Sequence, residues 1–540
     1  MKSDQDPTPP TKTKPTERLN TRAAGIIGLA VMCSRVLGLI REQVCAALFG
    51  GGWGMDAFTA AFRIPNLLRD LFAEGALSTA FVTTFSKTGA RDGDANAWQL
   101  ANKVTTLAAI VLGALCLLGI WFSPELVATL APGFAPEKAA LTVTLTRVMF
   151  PFILLVSLAA LVMGMLNARN VFGIPAMASS FFNIGSIVGG VVLGYWLDPH
   201  FGPLALIGLA IGTLIGGALQ LGVQLPRLRK LGYRFHADFS WRDPGVSAVL
   251  SLMGPSVIAA STTQLNVLIN SIFASHLGDG PIFWLSIAFR LMQLPLGLFG
   301  VALGTVTLPL LSRLVVAGNM TAFRGELSRS MRLGFLLTIP CTVGLMMLAG
   351  PIISVLYQHG RFDAFQAHEA AGALRFYAIG LAGYAALKVL VNAFYALDHR
   401  RTPMFVSFMA VALNLLLNWT FTRKLGWGHR GLAFSTGCVA TFNFLILYTL
   451  MHHHLKRLET RRMAVLVFKV GLACAGMAAS CWAAQLWLLN DWAHQAFVIR
   501  LTLLMLTIAV AGFVFIGIGA ALRVEELHEL IDAVRRRVLR

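Results

Sequence analysis

Charged side chains set inside apolar runs are the groups in this chain that could do chemistry. Phe62 to Phe81 reads FRIPNLLRDLFAEGALSTAF and carries Arg63, Asn66, Arg69, Asp70 and Glu74. Asp56 precedes it, Arg35, Arg41 and Glu42 lie in the preceding apolar run, and Arg290 lies in a later one. On a helix of roughly 100° per residue, Asp56, Arg63, Asp70 and Glu74 fall within about 20° of one line, with Arg69 roughly 120° away; Arg35 and Glu42 share another face. Pro65 is expected to kink the first of these helices. The five arginines outnumber the carboxylates Glu42, Asp56, Asp70 and Glu74, so a cavity they line should attract an anion. A guanidinium suits phosphate, because its planar fork donates two hydrogen bonds and stays charged when partly desolvated. Arg63 and Asp56 also admit a second reading, as snorkelling or end-capping groups near the outer end of their helix.

The elements that must position these groups follow from composition. Of 540 residues, 56% are hydrophobic and 13% charged, with a mean hydropathy of +0.70. Runs of about 20 apolar residues, each long enough for the roughly 30 Å hydrocarbon layer, recur along the chain. About fourteen such spans are expected, centred near residues 35, 70, 110, 153, 185, 214, 260, 298, 340, 384, 412, 441, 475 and 509. The fold class is therefore all-α and polytopic. A charge near the bilayer centre costs about 2.5–3.5 kcal/mol on insertion scales, so helices this charged should line a water-filled cavity or pair inside the bundle.

The net charge of +19 could suggest nucleic acid, but its distribution excludes that reading. Arg18 and Arg22 precede the first span, Arg227 to Arg242 lie between the sixth and seventh, and Lys456 to Arg462 follow the twelfth; Arg523 to Arg540 close the chain. With alternating spans all of these fall on one side, while the opposite loops hold mainly Lys138, Arg361, Arg423, Lys424 and Arg430. The positive-inside rule then places both termini in the cytoplasm. Residues 1–20 read as a disordered cytoplasmic tail and not as a signal peptide, and residues 523–540 as an amphipathic tail whose basic end lies on the inner leaflet.

The chain also repeats. At an offset of 227, Ala61-Phe62-Arg63 lies over Ala288-Phe289-Arg290 and Phe72 over Phe299. Phe150 through Ala159-Ala160-Leu161 echoes Phe376 through Ala385-Ala386-Leu387 at nearly the same offset. Six spans separate the copies, so both insert alike: an amino-terminal six-helix lobe over residues 21–230 and a carboxy-terminal one over 246–456, related by a pseudo-two-fold axis along the membrane normal. Residues 462–522 supply two extra helices.

Other motifs are weaker. Gly50-Gly51-Gly52-Trp53-Gly54 lacks a following Gly-Lys-Ser/Thr, so phosphate cradling there is not expected. The seven cysteines are scattered through apolar spans without CxxC spacing and read as packing thiols, with no metal site. His452-His453-His454 reads as an interfacial cluster. Lys388 lies mid-span with no evident partner in sequence and stays outside the candidate set.

At SRVLGLIRE (Ser34 to Glu42), MDAFTAAFRIPNLLRDLFAEGALSTAF (Met55 to Phe81) and FRLMQLPLGLFGVALGT (Phe289 to Thr305), the chain resembles the MurJ (MviN) lipid II flippases. The likeness extends to APGF at Ala131, FPFILLVSLAAL at Phe150 and YQHGRF at Tyr357. It implies the fold of the multidrug/oligosaccharidyl-lipid/polysaccharide exporter superfamily, with fourteen helices, two lobes and a cationic central cleft. It also implies movement of an undecaprenyl-pyrophosphate disaccharide-pentapeptide to the outer leaflet of the bacterial inner membrane, without enzymatic chemistry. The arginines such a protein needs fall at Arg35, Arg41, Arg69 and Arg290, its cleft acids at Asp56 and Glu74, and Glu42 follows Arg41 as an acid commonly does. The last two helices look like the groove for the polyprenyl tail. Expected partners are lipid II, membrane lipids and other cell-wall synthesis proteins; no cofactor is expected, and membrane potential or a coupled ion would drive transport. Family members often read Asp-Arg-Leu-Met-Glu-Phe-Pro where this chain has Phe289 to Pro295, so both acids flanking Arg290 are replaced. No deeply embedded acid stands in the second half for a carboxylate-based sodium site. The alternatives are a flippase for another polyprenyl-pyrophosphate oligosaccharide and a cation-coupled drug antiporter of the same superfamily. A membrane-embedded glycosyltransferase would present paired carboxylates on a long outer loop, and the loop near Gly50 to Asp56 is short.

Overall fold

The computed structural model describes residues 21–71, 77–456, 458–490 and 495–538. The expected disordered tail at 1–20, Glu74, Arg457 and Arg540 lie outside the described residues. Among the described residues there is no strand. The first half comprises α1 (Thr21–Phe49), α2 (Trp53–Arg69), α3 (Ser78–Asp92), α4 (Asp94–Trp121), α5 (Ser123–Leu130), α6 (Pro136–Met149), α7 (Phe152–Ala168), α8 (Gly173–Leu197), α9 (Ala205–Gly222) and α10 (Leu225–Lys230). The second comprises α11 (Pro244–Ser275), α12 (Pro281–Pro295), α13 (Ala302–Val316), α14 (Met320–Tyr357), α15 (Ala364–Ile379), α16 (Leu381–Ala396), α17 (Arg401–Trp419) and α18 (Gly428–His454). Then come α19 (Thr460–Trp487), α20 (Phe497–Ala521) and α21 (Glu525–Val538). Prolines open α6, α11 and α12, where the missing N–H has no intrahelical partner to lose.

Among the described residues, ten helices or continuous helix pairs are long and apolar enough to cross a membrane, or eleven if α15 and α16, bent by 42°, form one span. The expected count of fourteen exceeds this at the spans near residues 35, 70 and 260. The described residues at those positions are helical, in α1, α2 and α11, and each of these helices runs into or beside residues that are not fully described. Between α2 and α3 the helix leaves α geometry: Asp70, Leu71 and Leu77 make π-type turns around the undescribed 72–76. A π turn at Leu296–Val301 stands between α12 and α13 at the repeat-equivalent place.

Apolar packing falls into four groups. One runs from Ile64 to Val249 and another from Leu311 to Met463. A third mixes both halves, joining Met55, Ala57 and Leu209 to Phe283, Ile287 and Tyr357. The fourth seats α19 and α20 on α14 through Val470, Cys474, Leu504 and Leu348. The carboxy-terminal stretch, expected to lie on lipid through its basic end, is held to protein by its acidic side. Arg332 Nε donates to Glu526 Oε1 at 2.5 Å and also binds Glu459, and Arg329 pairs with Glu529 at 2.7 Å. Where the chain enters the second half, Asp243 caps α11 by accepting from the Gly245 N–H at 2.7 Å. Lys103 Nζ, 2.7 Å from that carboxyl, holds it below the usual carboxylate range.

Between α8 and α9, glycines let two backbones approach closely. In lipid, helix association relies on such close packing, because hydrocarbon supplies no hydrophobic drive. A Cβ on Gly212 would lie 2.2 Å from Gly190 N and 2.5 Å from its Cα, and neither backbone atom can turn away. Overpacking costs about 1–3 kcal/mol. Gly212→Val is therefore expected to lower the melting temperature and yield in detergent, while Gly222→Val, where nothing lies within 4 Å, lowers neither. Equal melting of the two variants would show that the contact does not hold the helices together.

Candidate functional site

At the end of the bundle holding the 50s, 130s, 280s and 360s, the two halves are bonded together. Gly51 N donates to Gln366 Oε1 at 2.8 Å, Arg361 N to Ala47 O at 2.9 Å and Gly133 N to Ser275 Oγ at 3.1 Å. Asp56 is the centre of this seam. Its carboxylate, 0% exposed, accepts from Lys138 Nζ at 3.0 Å, Gly280 N at 2.7 Å and Phe283 N at 2.8 Å. The last two are free N–H groups at the start of α12, the place where a helix favours an anion. Gly280 turns the chain into that start at φ +105°, where a side chain would be strained. Lys138 also donates to Asp279 Oδ1 at 2.9 Å and Gly278 O at 3.3 Å. Asp56 thus acts as an end cap across the two halves, the second of the readings its position allowed, and is closed off from the cavities described below.

The rest of the charged line on α2 faces the second half. Arg63 Nη1 donates to Ser271 Oγ of α11 at 2.5 Å. Asp70 accepts from Arg69 Nη2 at 2.8 Å, Gln264 Nε2 of α11 at 3.3 Å and Asn66 Nδ2 at 3.4 Å. Arg69 and Asn66 are therefore gathered around Asp70. Glu74 lies outside the described residues.

Arg290 and Glu42 form the central pair. Arg290 Nη2 lies 2.7 Å from Glu42 Oε1, and Tyr357 donates its hydroxyl to Glu42 Oε2 at 3.2 Å. Glu42 is buried, whereas the Arg290 side chain is 41% exposed, so the guanidinium retains donors for a ligand. Arg290 borders two cavities. The smaller, about 70 Å³, is lined by Arg41, Glu42, Cys45, Phe58 and Thr213; Arg41 also stacks over the Phe182 ring, 5.1 Å from its centroid. The larger, about 490 Å³, lies between α1, α8, α12 and α16 and is lined by Arg35, Asn183, Arg290, Gln293, Gly297 and Lys388. Its volume falls in the roughly 300–1,000 Å³ range of small-molecule sites. Arg35 reaches from α1 across to the turn after α12: a Cβ on Gly297 would lie 3.0 Å from its Nη1.

Three cations line the larger cavity, and no carboxylate does, among the described residues. Lys388 was not among the sequence candidates, since what it faces is a space and not a residue. Of the two departures beside Arg290, Gln293 lines the cavity, whereas Phe289 turns into the core, with its ring 5.4 Å from that of Tyr377. The buried polar cluster of the second half is built from neutral groups. Asn418 Nδ2 donates to Asn270 Oδ1 at 2.7 Å and to Asn414 Oδ1 at 3.1 Å, and Asn270 Nδ2 donates to Thr436 Oγ1 at 3.1 Å.

The fold and sequence have close relatives. The chain is 37% identical to the lipid II flippase MurJ of Burkholderia cenocepacia over 77% of its own length and 81% of that protein. It is 32% identical to a probable lipid II flippase MurJ of Haemophilus influenzae over 92% and 99%. Among solved structures, a lipid II flippase MurJ in an inward closed conformation superposes with a TM-score of 0.73 at 25% identity, covering 91% of this chain and 98% of that one. An inward-facing MATE family multidrug transporter of the MOP superfamily shares the fold alone, at a TM-score of 0.63 and 15% identity, over 80% and 98%. The sequence pattern described as lipid II flippase MurJ matches residues 45–506, and on that match together with these relatives the protein belongs to the MurJ family of multi-pass membrane proteins.

Proposed function

We propose that this protein flips lipid II, the lipid-linked peptidoglycan precursor, from the inner to the outer leaflet of the bacterial cytoplasmic membrane. The observation that carries this reading is a cavity faced by Arg35 from the first half and by Arg290 and Lys388 from the second, with no carboxylate among its described lining. An anionic headgroup would collect there while the polyprenyl tail stays in the bilayer along α19 and α20. Arg41, Arg63, Asn66, Arg69 and Glu74 would meet it along the path, and Asp56 would hold the outer side shut until the lobes rock. In this reading fourteen helices span the membrane, as lobes at 21–230 and 246–456 plus two helices within 462–522, with both termini cytoplasmic. The π turns at equivalent places in the two copies support the repeat. The protein moves its substrate without chemical change and needs no cofactor. An inside-negative potential favours outward movement of an anion, by about 2.3 kcal/mol per charge per 100 mV, unless a bound cation travels with it. Other cell-wall synthesis proteins are the proposed neighbours.

Complementation tests this. In a bacterium depleted of its own lipid II flippase, the wild type is expected to restore externally accessible lipid II. The neutral Gln293 in the cavity wall favours a second cargo, another polyprenyl-pyrophosphate oligosaccharide, if a well-inserted wild type restores none; the lipid that copurifies then identifies it.

A further inference from the structure

We propose that Lys388 is a specificity residue of the large cavity and that, with Arg35, it makes the site prefer a diphosphate-linked lipid over a monophosphate-linked one. The inference rests on the transport reading above and assigns a role to a residue that sequence reasoning left aside.

Charge balance is the starting point. Of the three cations facing the cavity, Arg290 is matched by Glu42 at 2.7 Å. Arg35 and Lys388 are exposed to the cavity and have no ion pair among the described residues. The polar neighbours are neutral: Asn183 spends its amide on Ser34 O and Ser179 O, both at 3.1 Å, and Gln293 carries no charge. Two cations therefore stand unmatched, one from each half of the chain. A diphosphate diester presents two singly ionised phosphates, whereas a monophosphate diester presents one. The match is one phosphate for each of these two cations, with Arg290 donating from the same cavity wall.

Position supports the same reading. Lys388 sits in the middle of α16, with seven residues before it and eight after, about 10–12 Å from either end of that helix, and it faces the cavity. Ionisable groups at such places face a bundle interior or a water-filled space and mark substrate paths. Lysine offers a compact charge with three rotatable donors, able to follow a phosphate whose exact place is set by arginine forks elsewhere. Gly297 lets Arg35 lie close against the second half, which brings the two cations to one cavity.

The test uses the full-length protein in nanodiscs and two short-chain probes, farnesyl-diphospho-N-acetylglucosamine and farnesyl-phospho-N-acetylglucosamine. Wild type is expected to bind the diphosphate probe more tightly. Lys388→Met should weaken that binding about tenfold, in keeping with loss of one charge-assisted hydrogen bond, and change monophosphate binding less than about twofold. Lys388→Arg should retain the preference, and the melting temperatures of all three should agree. Equal diphosphate binding by wild type and Lys388→Met overturns the role of Lys388 and leaves the cargo reading intact. Parallel loss of both probes with a lowered melting temperature also overturns it, as a packing effect. A wild type that binds neither probe overturns the cargo reading itself.

Discussion

Arg290→Ala is expected to abolish rescue of a flippase-depleted strain, with externally accessible lipid II falling to the level of the empty strain. Two losses coincide in this variant. The larger cavity loses the only arginine fork that the second half directs into it among the described residues. Glu42 is left buried with the Tyr357 hydroxyl as its remaining close partner among the described residues, at 3.2 Å. Removing one member of a buried ion pair costs about 3–5 kcal/mol, and the partial exposure of Arg290 places this case toward the lower end. Even about 3 kcal/mol corresponds to more than a hundredfold. Adding Glu42→Ala separates the two losses, because it removes the stranded carboxylate. The double variant should recover melting temperature in detergent without recovering transport. Recovery of transport would show that Arg290 serves only to neutralise Glu42, and full activity in a well-expressed Arg290→Ala would remove Arg290 from the substrate path.

Periodicity and repetition carried a good part of this arrangement. The single line of Asp56, Arg63 and Asp70 on α2 is visible at 100° per residue, and in the structure that line meets α11 and α12 at Ser271, Gln264 and Phe283. The internal offset of 227 reappears as a physical bond, since Asp56 accepts from the N–H of Phe283, its own repeat position. Partnerships across long stretches of chain were not legible. Lys138 reads in sequence as one of few basic residues in the outer loops, and nothing local reveals that its ammonium reaches a carboxylate 82 residues earlier. Tyr357 meets Glu42 across 315 residues. Lys388 was hidden for another reason: spacing reveals side chains that share a face, and a cavity between four helices has no spacing of its own. The spans near residues 35, 70 and 260 rest on the sequence, since each runs through or beside positions outside the fully described residues.

Asp56→Ala is expected to open the outer side. The two halves are joined there around one carboxylate with two backbone N–H groups and an ammonium as donors, all in a place that water does not reach. Its removal leaves Lys138 with Asp279, whose side chain is 65% exposed, and leaves the first N–H groups of α12 without an acceptor. Breaking such a buried pair costs about 3–5 kcal/mol. Moving a two-state equilibrium from 1:99 to 99:1 takes about 5.5 kcal/mol, so a loss of this size carries an outward-open form from a trace to a comparable or dominant population. Spin labels at Glu137 and Ala364, both exposed and on opposite halves at this end, would read it, in a background with the exposed Cys33 replaced. The distance distribution should gain a longer component in Asp56→Ala and in Lys138→Met, and Asp56→Asn, which keeps one acceptor oxygen, should fall between them and the wild type. Transport should fall in the same order, because alternating access needs both seals and a carrier held open on one side delivers each headgroup back where it came from. An unchanged distance distribution accompanied by lost transport would mean that Asp56 does not act by holding the halves together, and its place would then have to be on the path of the headgroup itself.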